Sequence, residues 1–261
     1  MSDLKGKVAV VTAASSGIGA AVSRVLSRDG VNLLVSSSNE DKIRATAERI
    51  SAETKNRILW KKCNLIERAE VDALAEYAVD QYKEIDFLVI NYGDPRLADF
   101  LQLTDSDWSE SINMFIGSTV SLVRQLVPHM NKNGGRIIFI TSMTTRQAYE
   151  GFSLSGSLRA AVVNLGKILS LELAPMGITV NSISQGYFLT ERLKSVLERN
   201  SRKHGTTPEK ELEEIKMQIP VRRIGDPEDI GHLVTFLCSD KASYINGANI
   251  PIDGGVTTYP Y

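Results

Sequence analysis

Short β-branched apolar runs alternate with longer stretches of helical periodicity along this chain. Val8 to Thr12 (V-A-V-V-T) is continuously apolar and reads as a buried strand, and a helical pattern follows from Gly17 to Asp29. The alternation continues with a strand at Val31 to Ser36, a charged amphipathic helix at Glu40 to Ala52, and a strand at Arg57 to Lys61. A helix near Ala69 to Tyr82 and a strand at Asp86 to Ile90 come next. A long helical region then leads to strands at Arg136 to Thr141, Ile178 to Ile183 and Ala248 to Ile252. Continuous apolar strands alternating with helices are the mark of a parallel sheet covered on both faces. The pattern therefore predicts an α/β chain with one doubly wound parallel sheet of seven strands and helices on both faces. No Pro- or Gly-rich linker divides it and no internal repeat appears, so residues 1–261 read as a single domain.

One segment departs from this rhythm. Glu191 to Gln218 is heavily charged and reads as two short helices broken at Gly205 to Pro208. Pro208 suits a first helical turn, with Thr206 or Thr207 as its cap. The segment leaves the sheet at the carboxyl end of a strand, where such folds bind ligands, so residues at about 190–219 are expected to form a lid. A solvated helical hairpin is the plainer alternative.

Composition narrows the partners. Apolar residues make up 43% and charged residues 23% of the 261, which suits an ordinary soluble protein with a large core. Thirty basic residues against 31 acidic ones leave a net charge of −1, which argues against nucleic-acid and membrane partners. Cys63 and Cys238 cannot form a disulfide framework and read as buried thiols in a reducing cytoplasm. His129, His204 and His232 lack ligand-like spacing, so no metal site is expected. The N-terminal segment M-S-D-L-K-G-K-V has no apolar signal core, and no apolar run reaches spanning length, so a cytoplasmic location is expected.

The turn T-A-A-S-S-G-I-G, Thr12 to Gly19, joins the first strand to the first helix. Gly17 and Gly19 let the backbone approach a phosphate, and the helix N-terminus offers it free N–H groups and a positive dipole end. Further motifs follow in order: I-N-Y-G (Ile90 to Gly93), N-S-I-S-Q-G-Y-F-L-T (Asn181 to Thr190), I-P-V-R-R-I-G-D-P-E-D-I (Ile219 to Ile230), F-L-C-S-D (Phe236 to Asp240) and I-D-G-G (Ile252 to Gly255). With these motifs the chain resembles the short-chain dehydrogenase/reductase family over essentially its full length, which implies a Rossmann fold. Two departures from the family pattern stand out: Ala13 replaces the first glycine of T-G-x-x-x-G-x-G, and Gln185 replaces the proline of N-x-x-x-P-G.

The resemblance implies a dinucleotide held by Thr12, Ser15, Gly17, Ile18 and Gly19 in the turn. It adds Ser37 and Ser38 after the second strand, and Asn64 and Leu65 at the adenine. Asn91 and Gly93 would lie at the adenosine ribose, Arg159 at the nicotinamide ribose, and Gly186, Phe188 and Thr190 at the carboxamide. A carboxylate ending the second strand would grip a 2′-hydroxyl and repel a 2′-phosphate. Here the strand ends in S-S-S-N, Ser36 to Asn39, whose hydroxyls, helped by Lys42, suit NADP while leaving NAD open. The same loop also reads simply as a cap for the helix beginning near Glu40.

In that family a tyrosine supplies the proton to the developing alkoxide, a lysine one helical turn later lowers its pKa, a serine polarises the carbonyl and an asparagine holds a relay water. Ser142 matches the serine and Asn113 the asparagine. The family's spacing then falls on Ser155 and Arg159, so Y-x-x-x-K is rewritten as S-x-x-x-R. A serine hydroxyl is a far weaker acid than a phenol. Arg159 keeps a fixed charge that can stabilise an alkoxide but is a poor proton relay. S-x-x-x-R, with the turn G-D-P-R at Gly93 to Arg96, resembles a divergent branch of the family.

Three readings follow. Ser155 works through water beside Arg159; or a tyrosine serves as the acid, Tyr187 ahead of Tyr149 and Tyr92; or the chain is a dinucleotide-binding pseudoenzyme, a sensor or oligomer subunit. The reading adopted is an NAD(P)-dependent oxidoreductase interconverting a carbonyl and a secondary alcohol, similar to 3-oxoacyl reductases or sugar and polyol dehydrogenases. Arg96 and Arg146 are candidates to meet an anionic substrate. The helices at Gly117 to Met130 and Ser153 to Met176 are those the family uses for dimer contacts, so the resemblance implies a homotetramer or homodimer. Leu158, Val162, Leu165 and Leu169 fit either a core or such an interface.

Overall fold

The structure is a computed structural model that describes residues 4–258. The first residues of the polar segment read above for the absence of a leader, Met1 to Asp3, lie outside the described residues. Seven strands form one parallel sheet: β1 (Val8–Val11), β2 (Asn32–Ser37), β3 (Ile58–Lys62), β4 (Phe87–Ile90), β5 (Gly135–Ser142), β6 (Ile178–Gln185) and β7 (Asn249–Ile252). Their order across the sheet is β3-β2-β1-β4-β5-β6-β7. Val10 sits opposite Leu34 on one side and Leu88 on the other, which sets the register of the central strands. The chain runs outward from β1 to β3, then returns to lay β4 on the far side of β1. This reversal opens a crevice at the carboxyl ends of β1 and β4.

The period of two in the strands divides the core. Ala9 and Val11 of β1 point into a cluster with Val22, Leu26, Ile43 and Val234, which belong to α1 (Gly17–Arg28), α2 (Glu40–Thr54) and α9 (Pro227–Cys238). Val10 points into the opposite cluster with Leu74, Phe115, Leu122 and Val162. That face is covered by α3 (Arg68–Gln81), α5 (Ser118–Leu126) and α6 (Ser153–Glu172). Leu158 and Val162 are buried in it, and Leu169 packs against it, so much of the apolar pattern of α6 serves the core.

The long helical region between β4 and β5 is a helical run interrupted by a π-bulge. It comprises α4 (Asp105–Ile112), a widened π-turn at Asn113–Gly117, and α5. Pro128 and Pro175 explain why two helices end earlier than the periodicity predicts. Each sits in a short 3₁₀ turn, Val127–His129 and Ala174–Met176, because proline lacks the N–H that would extend an α-helix. The charged segment forms α7 (Glu191–His204) and α8 (Pro208–Gln218), with Gly205 left-handed between them and Thr207 capping α8. Leu193, Leu197, Ile215 and Ile219 give this pair a small core of its own.

Candidate active site

The crevice at the strand reversal holds a cavity of about 520 Å³. Its first wall is the turn after β1. Thr12 donates its hydroxyl to the Asn91 carbonyl at 2.6 Å and is fully buried, so it ties β1 to β4. Ala13 takes a left-handed φ of 47°, and its carbonyl accepts from the Asn91 side-chain amide at 3.0 Å. Gly17 also has positive φ, 53°, and a Cβ there would stand 3.3 Å from Thr190 Cγ2. A Cβ on Gly19 would lie 2.3 Å from the Ala13 carbonyl oxygen. The helix that begins here, α1, has no side-chain cap from Ser16 and no acid in its first turn. Its leading N–H groups and positive dipole end are therefore available to an anion.

The second wall lies between β2 and β3. Ser37 donates to Ser15 Oγ at 2.9 Å, while Asn39 caps α2 by accepting from the Lys42 backbone N–H. Ser38 is exposed on the cavity wall. Asn64 donates its backbone N–H to Glu70 at 2.7 Å and accepts from Ile66 through Oδ1. That backbone donor and Lys62 hold the Glu70 carboxyl below its ordinary range. Leu65, Asn91 and Gly93 complete this side.

At the chemical end, β5 terminates in Ser142, whose Oγ accepts from the Thr144 N–H at 3.2 Å. Ser155 and Arg159 stand one turn apart on α6, and both line the cavity. Arg159 donates from Nε to Ser155 Oγ at 3.2 Å and from Nη1 to the Ile140 carbonyl at 3.0 Å. Its guanidinium lies 4.8 Å from the Phe115 ring centre and 5.6 Å from that of Tyr92. Burial pulls its pKa down to about 10, which leaves it charged at neutral pH.

The three candidate tyrosines separate by their hydroxyls. Tyr92 is buried with its OH 2.7 Å from Thr119 Oγ1. Thr119 spends its own proton on the Phe115 carbonyl, so Tyr92 is the donor in that pair and its proton is committed. Tyr149 points its OH at Met143 Sδ, and its ring packs on Phe152. Tyr187 lines the cavity, and its hydroxyl has no hydrogen-bond partner among the described residues. Burial, with Tyr149 nearby, pushes its pKa up to about 12.

The cavity thus brings together Ser15, Gly17, Ile18, Ser37, Ser38, Asn64, Leu65, Asn91 and Gly93 with Ser142, Ser155, Arg159, Gly186, Tyr187, Phe188 and Thr190. Three expected site residues are not on its wall. Thr12 lies beneath it because its hydroxyl serves the backbone of β4. Gly19 is packed against the Ala13 carbonyl and shapes the turn from behind. Asn113 opens the π-turn: its carbonyl accepts from Ser118 N–H five residues on, and its Oδ1 lies alongside Gly117. Arg96 and Arg146 also miss this cavity, since Arg96 pairs with Asp107 and Arg146 donates to the Asn249 carbonyl. A second arginine does reach it beside Arg159: Arg192, in the first turn of α7, which the periodicity concealed in a run of surface charge. Arg192 faces the Phe152 ring at 6.0 Å and donates to the Pro95 carbonyl. Two further ion pairs, Arg199–Asp99 and Lys203–Glu150, fasten α7 to the loops across the opening.

Comparison with known proteins agrees with this arrangement. A family model described as Enoyl-(Acyl carrier protein) reductase matches residues 12–257. The oxidoreductase UcpA of Salmonella typhimurium is 34% identical over 98% of this chain and 97% of its own length. The 3-oxoacyl-[acyl-carrier-protein] reductase FabG of Rickettsia conorii is 32% identical over 98% and 99%. Among solved structures, L-sorbose reductase from Gluconobacter frateurii, complexed with NADPH and L-sorbose, superposes with a TM-score of 0.91 at 27% identity, over 99% of each chain. With its sheet order, its glycine turn and relatives matching along nearly its whole length, the chain belongs to the short-chain dehydrogenase/reductase family.

Proposed function

We propose that this chain is an NAD(P)-dependent oxidoreductase that interconverts a carbonyl and a secondary alcohol, using NADP. The observation that carries the reading is one cavity with an uncapped helix N-terminus over glycines at one end and Ser142, Ser155, Arg159 and Tyr187 at the other. The amides of Gly17 to Gly19 would take a pyrophosphate, the Asn64 to Leu65 loop the adenine, and Phe188 with Thr190 the carboxamide. The NADPH of L-sorbose reductase, together with Ser38 and the lack of a carboxylate at the end of β2, supports NADP. When bound, the nicotinamide supplies or receives the hydride.

The chain's own residues manage the oxygen. Ser142 accepts from Thr144, which leaves its own proton to polarise a carbonyl. Arg159 contributes a fixed positive field to the negative charge that develops on that oxygen. Tyr187 is the proton donor in this reading, with an unpartnered phenol that stays protonated across the neutral range. At about 12 its pKa still lies below that of an alcohol, which resembles water at about 15.7. Ser155 receives Arg159 Nε and so orients the guanidinium. The pair α7–α8 serves as a lid that excludes water. Exposed Ile168 and Leu171 on α6 support self-association as a homotetramer or homodimer.

The test is single-turnover oxidation of NADPH and NADH with a broad ketone panel. Tyr187→Phe is expected to slow turnover by about 10²–10⁴-fold, the usual loss of a general acid. A second reading rests on the Arg159 bond to the Ile140 carbonyl, which also suits a purely structural fastener. If the wild type binds NADPH without turnover while Ser155→Tyr/Arg159→Lys turns over, the chain is a silent dinucleotide-binding subunit or sensor.

A further inference from the structure

Two guanidinium groups from different elements share the chemical end of the cavity: Arg159 on α6 and Arg192 in the first turn of α7. They are close enough that the charge of Arg192 acts on Arg159, and burial is the largest influence on each. Their partners do not match this charge. Arg159 donates only to neutral acceptors, Ser155 Oγ and the Ile140 carbonyl. Its Nη2 has no acceptor among the described residues, although the side chain lines the cavity. Arg192 has one carboxylate, Asp94, at 3.4 Å from Nε, and Asp94 is half exposed. The other acid on the wall, Glu191, faces outward and pairs with Lys194. One buried cation, Arg159, and one partly buried cation, Arg192, therefore share one solvated carboxylate.

A buried cation without a counter-charge is costly, and a ligand that brings the missing charge recovers part of that cost. Each guanidinium keeps N–H groups beyond its bonds to Ser155 and Ile140, or to Asp94 and the Pro95 carbonyl, and a planar carboxylate can accept one from each arginine. Phe152, under Arg192, supplies an apolar wall for the rest of such a molecule.

We propose that the substrate of this site is an oxo acid, with a carboxylate near the reacting carbonyl held jointly by Arg159 and Arg192. The inference rests on the reductase reading and narrows its substrate class. It also gives α7 a role in recognition. Arg192 rides on that helix, so the carboxylate adds one more tie between α7 and the site.

The test uses two matched pairs with NADPH, benzoylformate against its methyl ester and benzoylacetate against its ethyl ester. It adds titration of the NADPH-loaded protein with benzoate and with benzamide, followed by nicotinamide fluorescence. The wild type is expected to favour acid over ester in kcat/KM by about tenfold or more, the scale of one charge-assisted contact. Arg192→Gln should bring that ratio near unity, and Arg192→Lys should keep part of it. Benzoate should bind the loaded protein more tightly than benzamide, with the difference lost in Arg192→Gln. Equal use of acid and ester, or a preference that survives Arg192→Gln, overturns the proposal and leaves the reductase reading intact. Selective benzoate binding without turnover of any ketone sinks the reductase reading and leaves the carboxylate site standing. Neither turnover nor selective binding removes both.

Discussion

Replacing Ala13 by glycine should make this protein more stable, against the usual direction of a change to glycine. Ala13 sits at φ 47°, a conformation its Cβ penalises, and the fold cannot release it. Its carbonyl meets both the Asn91 amide and the close-packed Gly19, and the next N–H donates to Ser36. A left-handed L-residue carries roughly 1–2 kcal/mol of strain. Against that relief stand about 0.4–1 kcal/mol of extra unfolded-state entropy for glycine and a few tenths for a half-buried methyl. The balance is a gain of about 0.5 kcal/mol, or about 1–2 °C in Tm for a chain of this size. Urea titration of Ala13→Gly beside wild type reads it directly. Lys55→Gly is the control, because Lys55 is also left-handed, at φ 64°, but exposed at the end of α2. A raised midpoint for Lys55→Gly with a lowered one for Ala13→Gly would refute the reasoning. The alanine methyl would then be doing packing work that its position on the cavity wall does not suggest.

Two further expectations concern the same crevice. Gly19→Ala puts a methyl 2.3 Å from the Ala13 carbonyl oxygen, so the turn must open. Affinity for NADPH, measured by fluorescence titration, should fall by at least tenfold, and unchanged affinity would show that the turn does not hold the dinucleotide. Glu70 has its carboxyl held below the ordinary range by the Asn64 N–H and by Lys62. Its contribution is present above the unfolded-state pKa, about 4.3, and is lost as pH falls through the lower folded value. The stability of Glu70→Gln should therefore fall less steeply than wild type below about pH 4.3. Parallel curves in a pH series of urea midpoints would count against that linkage.

The architecture was legible because strands buried on both faces leave continuous apolar runs such as Val8 to Val11 and Ile137 to Ile140. Their order announces the crossover, and Gly17 marks where the crevice must open. Local chemistry was harder to read. Thr12 and Asn113 occupy motif positions, yet whether a side chain faces a ligand or the backbone depends on neighbours far along the chain. Thr12 turned to the Asn91 carbonyl 79 positions away. Asn113 begins the π-turn and lies off the cavity wall, and no periodicity signals one extra residue in a helical turn. Arg192 was hidden for the opposite reason. In sequence it is one of many charges on a polar helix, and only the fold shows that this one turns inward. Among the three tyrosines, sequence position already favours Tyr187, and the hydroxyl partners of Tyr92 and Tyr149 supply the physical reason that the sequence lacks.

The fork of Arg159 also constrains how this site can change by single steps. One end holds Ser155 Oγ and the other the Ile140 carbonyl. A lysine at 159 ends in a single compact ammonium and cannot copy that span, so one partner loses its donor. A tyrosine at 155 beside an unchanged Arg159 must fit its ring where Nε now meets a hydroxyl at 3.2 Å. Stranding one buried acceptor costs about 1–3 kcal/mol, a sizeable share of ordinary folding stability. A change at either position alone therefore disturbs a contact that the other makes, and a paired change is the less costly step.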